Sequence, residues 1–568
     1  MLGRESPQCS FLDAAFSAER LLEPGSFYEL LYRHGPRLFS DDDFVDCYDP
    51  TTGRPSVPPG RMMKLFLLQS YEDLSDRQAL ERMAFDLRWK AVLGMGVDEP
   101  AVGQATLVEF RARLQLHAKL EEAFRRFVAR AVEAEIIERE AVQILDSTAI
   151  WGRGAVQDTY NLIGGAVRKL LGAVARRRRQ RPGHVAEALG LVLTAPAEAG
   201  SLKGQAGIDW TAPEERRAFL NSVVEEARAL LAEAGTPEAE RDEEQDPEVA
   251  EAAALLRRVL CQDLEPVPVA EQDDGDREGP SGPSSPDQLV LAPGTEVQIR
   301  QGVAKDRIVS VSDPEMRHGH KSQKSRWEGY KAHVSVEASS GFATAVEVSP
   351  ANVQDAEAAP QLIRAQKEVG FKPSAQVGDM AYSEAELRVE AERAGTKIVA
   401  RVPRSRPAGG RFGKADFQLD PEARVVRCPA GHTAQHFVAR SGGGGSFFFD
   451  GALCASCGLR KRCTGKDPET MGRTGRGRSI ALHPLEAVLQ QARAEEDEPE
   501  TQELLRLRPI AERTLAHLVR RGLRKARYFG TVKVRFQAQA IALVVNLAHL
   551  SRLFQVQPQL EAAWAIAR

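Results

Sequence analysis

Residues 142–148 read VQILDST, in which a short apolar run is followed by an acid. A short apolar run between polar residues predicts a buried β-strand, which would present Asp146 at its end. Residues 375–378 read AQVG and have the same character, and they lead directly to Asp379. The two acids are far apart in the chain, so only the fold could make them neighbours.

The elements around these two strands follow a recognisable order. Residues 330–336 alternate apolar and polar side chains, as a half-buried strand does, and the Ser339-Ser340-Gly341 turn leads to a partner strand over 343–348. A helix over 353–368 precedes the Asp379 strand, and a fifth strand over 398–402 and a helical region from Glu498 follow it. This order resembles the RNase H-like fold, in which the first and fourth strands are adjacent. We therefore expect an α/β core with a mixed five-stranded sheet flanked by helices.

A chain of 568 residues is too long for one compact core. We expect an N-terminal helical, DNA-binding domain, an RNase H-like core in three pieces and two insertions. The first insertion is helical and then acidic and rich in Pro, Gly and Ser; the second is β-rich and contains cysteines. The boundaries are 1–135 for the N-terminal domain, 136–160, 300–403 and 495–560 for the core, and 161–299 and 404–494 for the insertions.

Local signals support the helical assignments. The apolar stripe over 59–71 predicts one N-terminal helix, Ser75 and Gln78 form a capping box for the next, and Thr106 is the expected cap of a third. Ser383 with Glu386 predicts a cap after the Asp379 strand, and residues 504–528 read as one continuous helix.

The composition indicates a globular protein that works in the cytoplasm. Hydrophobic residues make up 42% of the chain, no apolar run is long enough to span a bilayer, and the N-terminus lacks the features of a signal peptide. In that reducing compartment the cysteines predict metal ligation or free thiols rather than disulfides.

The net charge of −4 conceals a separation of charge along the chain. Residues 501–535 carry ten basic and two acidic residues, a local balance of 10 − 2 = +8. Two further basic runs cover 168–181 and 317–331, whereas acids accumulate between Glu238 and Asp287. Three basic runs together favour a polyphosphate partner over solvated surface helices. The residues that we assign to DNA contact are Arg508, Arg520, Arg521, Arg524, Arg527, Arg176, Arg177, Arg178 and Lys331.

Glu512 is the candidate for a third acid beside Asp146 and Asp379. It is one of two acids in the basic stretch, and it could equally be the intrahelical partner of Arg508 at i−4. Transfer of a DNA phosphoryl group needs two divalent cations about 4 Å apart, and Mg²⁺ prefers carboxylate oxygens. Asp158 and Asp313 are rival acids, but both fall in predicted loops.

Several segments resemble bacterial insertion-sequence transposases of the DDE superfamily, in the branch with an N-terminal helical transposase domain and a four-cysteine insertion. They read DPTTGRPSVPPGRMMKLFLLQSYEDLSDRQALERMAFDLRWK (49–90), ILDSTAIWGRGAVQDTYNLI (144–163), SDPEMRHGHKSQKSRWEGYKAHVSVE (312–337) with SPANVQDAE (349–357) and VGDMAYSEAE (377–386), and AERTLAHLVRRGLRKARYFGTVKVRFQ (511–537).

The resemblance implies that Asp146, Asp379 and Glu512 are the catalytic acids and hold two Mg²⁺ or Mn²⁺ ions. It also implies cleavage at the 3′ ends of the element's terminal inverted repeats and transfer of those ends to target double-stranded DNA. Pairing two ends implies at least a homodimer. In the related proteins a Tyr and a Lys accompany the Arg and Glu of the last motif, whereas this chain has Leu505 and Val519 there.

Four cysteines, Cys428, Cys454, Cys457 and Cys463, lie in a short segment late in the chain. Their spacing suits a tetrahedral structural zinc ion, for which His432 could replace one thiolate. The alternative is four reduced thiols in an ordinary β-rich insertion.

Two other functions are compatible with the same acids or the same basic surface. One is an RNase H-like nuclease that cuts but does not join. The other is a transposase-derived DNA-binding protein without catalysis. A zinc hydrolase is disfavoured because the eleven histidines show no HExxH spacing.

Overall fold

The N-terminal part of the computed structural model is helical, as predicted. The structure describes residues 1–5, 11–194, 201–235, 246–268, 285–322, 324–404, 408–434, 436–465 and 477–567. Much of the acidic stretch Glu238–Asp287 lies outside these ranges. The N-terminal helices are α1 (Ala18–Leu21), α2 (Phe27–Leu38), α3 (Pro59–Tyr71), α4 (Asp76–Phe85), α5 (Leu87–Leu93), α6 (Gln104–Leu116) and α7 (Lys119–Glu133).

Two of the three N-terminal helix signals are confirmed. Helix α3 has the predicted bounds, and the Ser75–Gln78 capping box is present. The cap at Thr106 is wrong, because α6 already begins at Gln104, after extended backbone at Gly103.

The first strand, β1 (Gln143–Trp151), is longer than predicted. Asp146 therefore lies near its middle and not at its end. The strand continues past the acid because a later antiparallel strand pairs with all of its residues.

The first insertion follows β1 and builds a core of its own. It contains α8 (Thr159–Arg177), α9 (Pro182–Ala188), α10 (Leu202–Gln205), α11 (Pro213–Ala234), α12 (Pro247–Asp263), β2 (Leu264–Pro266), α13 (Pro286–Leu291) and β3 (Val297–Ile299). The apolar faces of α8, α11 and α12 form a cluster separate from the core around β1.

The rest of the central sheet comes next in the chain. Its elements are β4 (Arg317–His320), β5 (Arg326–Glu337), β6 (Ala343–Pro350), α14 (Asp355–Glu368), β7 (Ala375–Val377), α15 (Ala385–Arg393) and β8 (Lys397–Val399). The strand order is β4–β5–β1–β7–β8, with β6 also paired to β5. Pairs β1–β5 and β5–β6 are antiparallel, and pairs β1–β7 and β7–β8 are parallel.

Two predictions about this region are wrong. The sheet has six strands and not five, because β4 has the sequence RHGH and lacks the apolar pattern that would announce a strand. The Ser383–Glu386 cap is absent, since α15 begins after Glu384 without a side-chain cap and the Ser383 hydroxyl donates to the Met380 carbonyl.

The second insertion and the C-terminal helices complete the chain. The elements are β9 (Gln418–Asp420), β10 (Val425–Arg427), β11 (His436–Ala439), β12 (Gly445–Phe448), α16 (Gly451–Ala455), α17 (Arg460–Thr464), β13 (Ser479–Leu482), α18 (Glu486–Glu495), α19 (Pro499–Leu505), α20 (Pro509–Leu518), α21 (Thr531–Val556) and α22 (Pro558–Ile566).

The predicted continuous helix over 504–528 is wrong. Pro509 has no N–H group and starts a new helix, so α19 ends at Leu505 and α20 begins at Pro509. After α20 the backbone widens into a turn over Val519–Leu523, where Gly522 adopts φ 94°.

Helix α21 is the centre of the main core. It packs on β6 and on the N-terminal helices α2, α3 and α7. The N-terminal helices therefore share one hydrophobic core with the sheet. Within the described ranges, no helix combines the length and apolar character needed to cross a membrane.

Candidate active site

The sheet brings Asp146 and Asp379 together. In the parallel pair β1–β7, Gln143 lies opposite Gln376 and Ile144 opposite Val377. Asp146 and Asp379 each follow the Ile144–Val377 pair by two residues, and the charge of Asp379 acts on Asp146. The predicted proximity of these acids thus follows from the strand pairing.

Alternation along β1 sets the direction of each side chain. Ile144 belongs to the core that includes α20 and α21, and Leu145 belongs to the core on the α14 and α15 side. Because successive strand residues point to opposite faces, Asp146 faces α20 and Ser147 faces α14.

The surroundings of Asp146 destabilise the ionised form of its carboxyl group. Its pKa is raised from 3.8 to about 6, mainly by burial and also by the charge of Asp379. The Ser147 N–H, which donates to Asp146 Oδ1 over 2.8 Å, and the cations Lys321 and Arg508 act in the opposite direction. The site therefore disfavours the ionised form of Asp146.

Asp379 is held by a tight local turn. Its side chain caps the short helical turn Met380–Tyr382 by accepting the Ala381 N–H over 2.8 Å. Gly378 precedes it because a Cβ there would lie 2.7 Å from the Tyr382 ring.

Glu512 lies in the first turn of α20, which packs on β1 and β5. Its side chain is 60% exposed, and its Oε1 is 3.9 Å from Nη2 of Arg508. The Arg508 charge also acts on Asp146, so this end of α20 is near the acid pair. The rival acids have structural roles: Asp158 caps α8, and Asp313 is buried and accepts hydrogen bonds from Tyr330 and Gly530.

The three acids do not form a closed ligand cage. Among the described residues, only Asp46, Cys47 and His117 bring three donor atoms within 4.8 Å of one another. There the Lys119 ammonium already lies 2.8 Å from Asp46 Oδ1.

The residues assigned to DNA contact fall into two groups. Arg508, Arg520 and Arg524 are partly or fully exposed near α20, although Arg508 pairs with Glu512 and Arg524 also donates to the Ala149 carbonyl. The other six also have partners within the protein. Arg521 donates to the Tyr71 carbonyl and stacks on its ring, Arg527 pairs with Asp73, and Lys331 pairs with Asp355; Arg176 pairs with Glu248, and Arg177 and Arg178 bond to Glu233.

The four clustered cysteines, which all fall within the described ranges, lie around one cavity, although no three of their sulfur atoms come within 4.8 Å of one another. Together with His432 they line one cavity of about 30 Å³ in the second insertion. Burial raises the pKa of Cys463, and its three neighbouring cysteines act in the same direction. The adjacent hydrophobic core is small, with six buried residues among those described.

Sequence reasoning missed a polar layer on the α14 side of the acids. Asp355 at the start of α14, His333 on β5 and Tyr382 after Asp379 make up this layer. Asp355 and Tyr382 lie in the segments SPANVQDAE and VGDMAYSEAE, which carry the family resemblance, but nothing in the spacing of either assigns them a role.

Two segments of the chain match families of known proteins. Residues 16–113 match the Transposase domain (DUF772) family, and residues 427–551 match the Transposase DDE domain family. The second match includes both Glu512 and the four cysteines. No curated protein and no solved structure matches the chain.

Both matches are to transposase families, and the second is to a DDE domain. They support the resemblance to insertion-sequence DDE transposases that the sequence predicts. A transposase family implies DNA as a partner.

Proposed function

We propose that this transposase is catalytically competent: it binds the terminal inverted repeats of its element, cleaves their 3′ ends and transfers the freed hydroxyls to target DNA. The observation that supports the proposal is the parallel pairing of β1 with β7, the two strands that lead to Asp146 and Asp379, together with the effect of the Asp379 charge on Asp146. The fold proposed for the core is RNase H-like. Its support is the sheet itself, in which β1, β4, β5 and β6 form antiparallel pairs and β7 and β8 follow parallel to β1.

We assign the divalent cations of the family to Asp146, Asp379 and Glu512. The donor set fits, because two carboxylates share a partly buried place where burial and mutual repulsion raise the pKa of Asp146. Two bound Mg²⁺ or Mn²⁺ ions would supply activation of the attacking oxygen and stabilisation of the leaving oxygen. Arg508 is placed to hold a DNA phosphate beside the acids.

Glu512 completes the proposed set from the other side of the site. Helix α20 presents its buried face, with Ala511 and Leu515, to the sheet. Glu512 stands at the margin of that face, exposed, with Arg508 as its nearest cation. Because Glu512 is exposed, it is accessible to a divalent cation that is also held by bound DNA.

We also propose a structural zinc ion in the second insertion. The cavity lined by Cys428, Cys454, Cys457 and Cys463 has the volume of about one small ligand, and four thiolates are a donor set that Zn²⁺ prefers. The small adjacent core leaves this segment in need of such a metal.

The test of catalysis uses the inverted repeats that flank the coding region, supplied with a supercoiled target and Mg²⁺. Asp146→Asn, Asp379→Asn and Glu512→Gln should each abolish cleavage and strand transfer while DNA binding persists. Asp158→Asn is the matched control, because asparagine also caps helices well, and it should behave like the parent.

Three outcomes would change the proposal. If the parent cuts but never joins, the protein is a nuclease. If the parent binds but never cuts, it is a DNA-binding protein only. If the parent cuts and Glu512→Gln cuts equally well, Glu512 is not a ligand and its salt bridge with Arg508 is its role.

A further inference from the structure

The polar layer formed by Asp355, His333 and Tyr382 lies on the α14 side of Asp146 and Asp379. Asp355, at the start of α14, is only 14% exposed. Its Oδ2 accepts a hydrogen bond from the Ser147 hydroxyl over 2.9 Å, and its Oδ1 accepts one from the Lys331 ammonium over 2.9 Å. Lys331 also donates to the Val353 carbonyl over 2.8 Å, so it is fixed from two sides.

Ser147 connects this layer to Asp146. Its hydroxyl donates to Asp355 on one face of the sheet, and its backbone N–H donates to Asp146 Oδ1. Asp355 therefore fixes the side chain of Ser147, and the backbone of Ser147 fixes the carboxylate of Asp146. A rotation of the peptide at Ser147 would move the Asp146 carboxylate, and the bond to Asp355 opposes that rotation.

The surrounding buried groups are directed at the same place. His333 is fully buried; its Nε2 lies 2.8 Å from Ser349 Oγ, and its Nδ1 lies 3.8 Å from Asp355 Oδ1 and has no hydrogen-bond partner among the described residues. The buried Tyr382 hydroxyl also lacks a partner within the described chain, and the charges of Asp355, Asp146 and Asp379 all act on it. Buried polar atoms are usually satisfied, so two such atoms beside three acids mark a site and not an ordinary core.

We infer that Asp355 is a positioning residue for the metal site: through Ser147 it fixes the part of β1 that carries Asp146, and Lys331 balances its charge. The inference rests on the proposed function. A positioning role differs from a merely structural one because it makes metal affinity depend on Asp355. Loss of a partner that orients a metal ligand lowers metal affinity about 10- to 100-fold.

The test measures Mn²⁺ binding to the full-length protein by the electron paramagnetic resonance signal of free Mn²⁺. Asp355→Asn removes the charge and keeps the shape, and Ser147→Ala removes the connecting hydroxyl with little effect on packing. We expect Asp355→Asn to weaken Mn²⁺ binding about 10-fold, at the low end of that range, and Ser147→Ala to weaken it less. Cleavage by both variants should recover toward the parental rate when Mn²⁺ is raised.

Asp158→Asn provides the control for an Asp→Asn change at a helix start, and it should leave Mn²⁺ binding unchanged. If Asp355→Asn and Ser147→Ala both bind Mn²⁺ like the parent, or only lower the melting temperature, the positioning role is overturned. Asp146→Asn separates this failure from that of the proposed function. If that variant also binds Mn²⁺ like the parent, the metal site itself is wrongly assigned.

Discussion

Replacing Asp146 by asparagine should stabilise the folded protein while abolishing its activity. Burial and the Asp379 charge raise the pKa of Asp146 from 3.8 to about 6. Each factor of ten in an ionisation constant is worth about 1.4 kcal/mol, so ionising this carboxyl costs the folded state up to about 3 kcal/mol at neutral pH. Asparagine is nearly the same size and carries no charge, so it removes that cost.

The sign and the pH range of this effect follow from linkage. Below pH 3.8 the carboxyl is protonated in both the folded and the unfolded chain, and it costs nothing. As the pH rises toward about 6, the unfolded chain ionises first, so the stability of the folded chain falls. The advantage of Asp146→Asn should therefore be absent near pH 4 and complete above about pH 6.

The assay is thermal denaturation across this pH range, with chelator and again with Mg²⁺. A cation at about 100 times its dissociation constant adds roughly 2.7 kcal/mol of stability, which would offset most of the cost in the parent. Mg²⁺ should thus raise the melting temperature of the parent but not of Asp146→Asn. Equal Mg²⁺ stabilisation of both proteins, or a less stable variant at pH 7 in chelator, would refute the reasoning.

Three further predictions concern other parts of the molecule. Tyr330→Phe should cost about 1–3 kcal/mol of unfolding free energy, because it removes the 2.5 Å hydrogen bond to the buried Asp313; an unchanged denaturation midpoint would contradict this. Arg520→Ala and Lys525→Ala, at exposed positions, should each reduce the slope of DNA affinity against salt by about 0.9. Arg521→Ala should leave that slope unchanged and lower the melting temperature, because its guanidinium is bound to Tyr71; a reversed pattern would reverse the assignment. Purified protein should contain about one equivalent of zinc, its removal should destabilise the second insertion, and less than about half an equivalent would count against the site.

Most of the fold could be predicted from local patterns. Helix α3 and helix α11 have the bounds that their apolar stripes and N-terminal prolines indicate. Strand β4 could not be predicted, since its pairing with β5 and not its own composition makes it a strand. The break at Pro509 was predictable in principle, because proline cannot continue a hydrogen-bonded helix, yet the amphipathic pattern runs through it.

The candidate site divides in the same way. Asp146 and Asp379 were predictable because strand order alone makes the first and fourth strands neighbours. Asp355 was not predictable, because the role proposed for it depends on one hydrogen bond to Ser147, which is 208 residues away in the chain. The basic runs showed which residues carry positive charge but not which acids of the protein pair with them. The sequence identifies Lys331 and Arg527 only as cations. In the structure, Lys331 pairs with Asp355 and Arg527 pairs with Asp73.

The two family matches cover separate parts of the chain, but their residues form one physical unit. Phe66 of α3 packs on Phe536 of α21 with ring centroids 5.4 Å apart, and Arg527 pairs with Asp73 at the end of α3. Gly522 lies close to Asp73, since a Cβ there would lie 2.6 Å from Asp73 Oδ1. The turn that follows α20 is therefore fitted to the N-terminal helices. Since α20 carries Glu512, the N-terminal transposase domain helps to set the position of the third proposed acid, and the site cannot be assembled by the sheet alone.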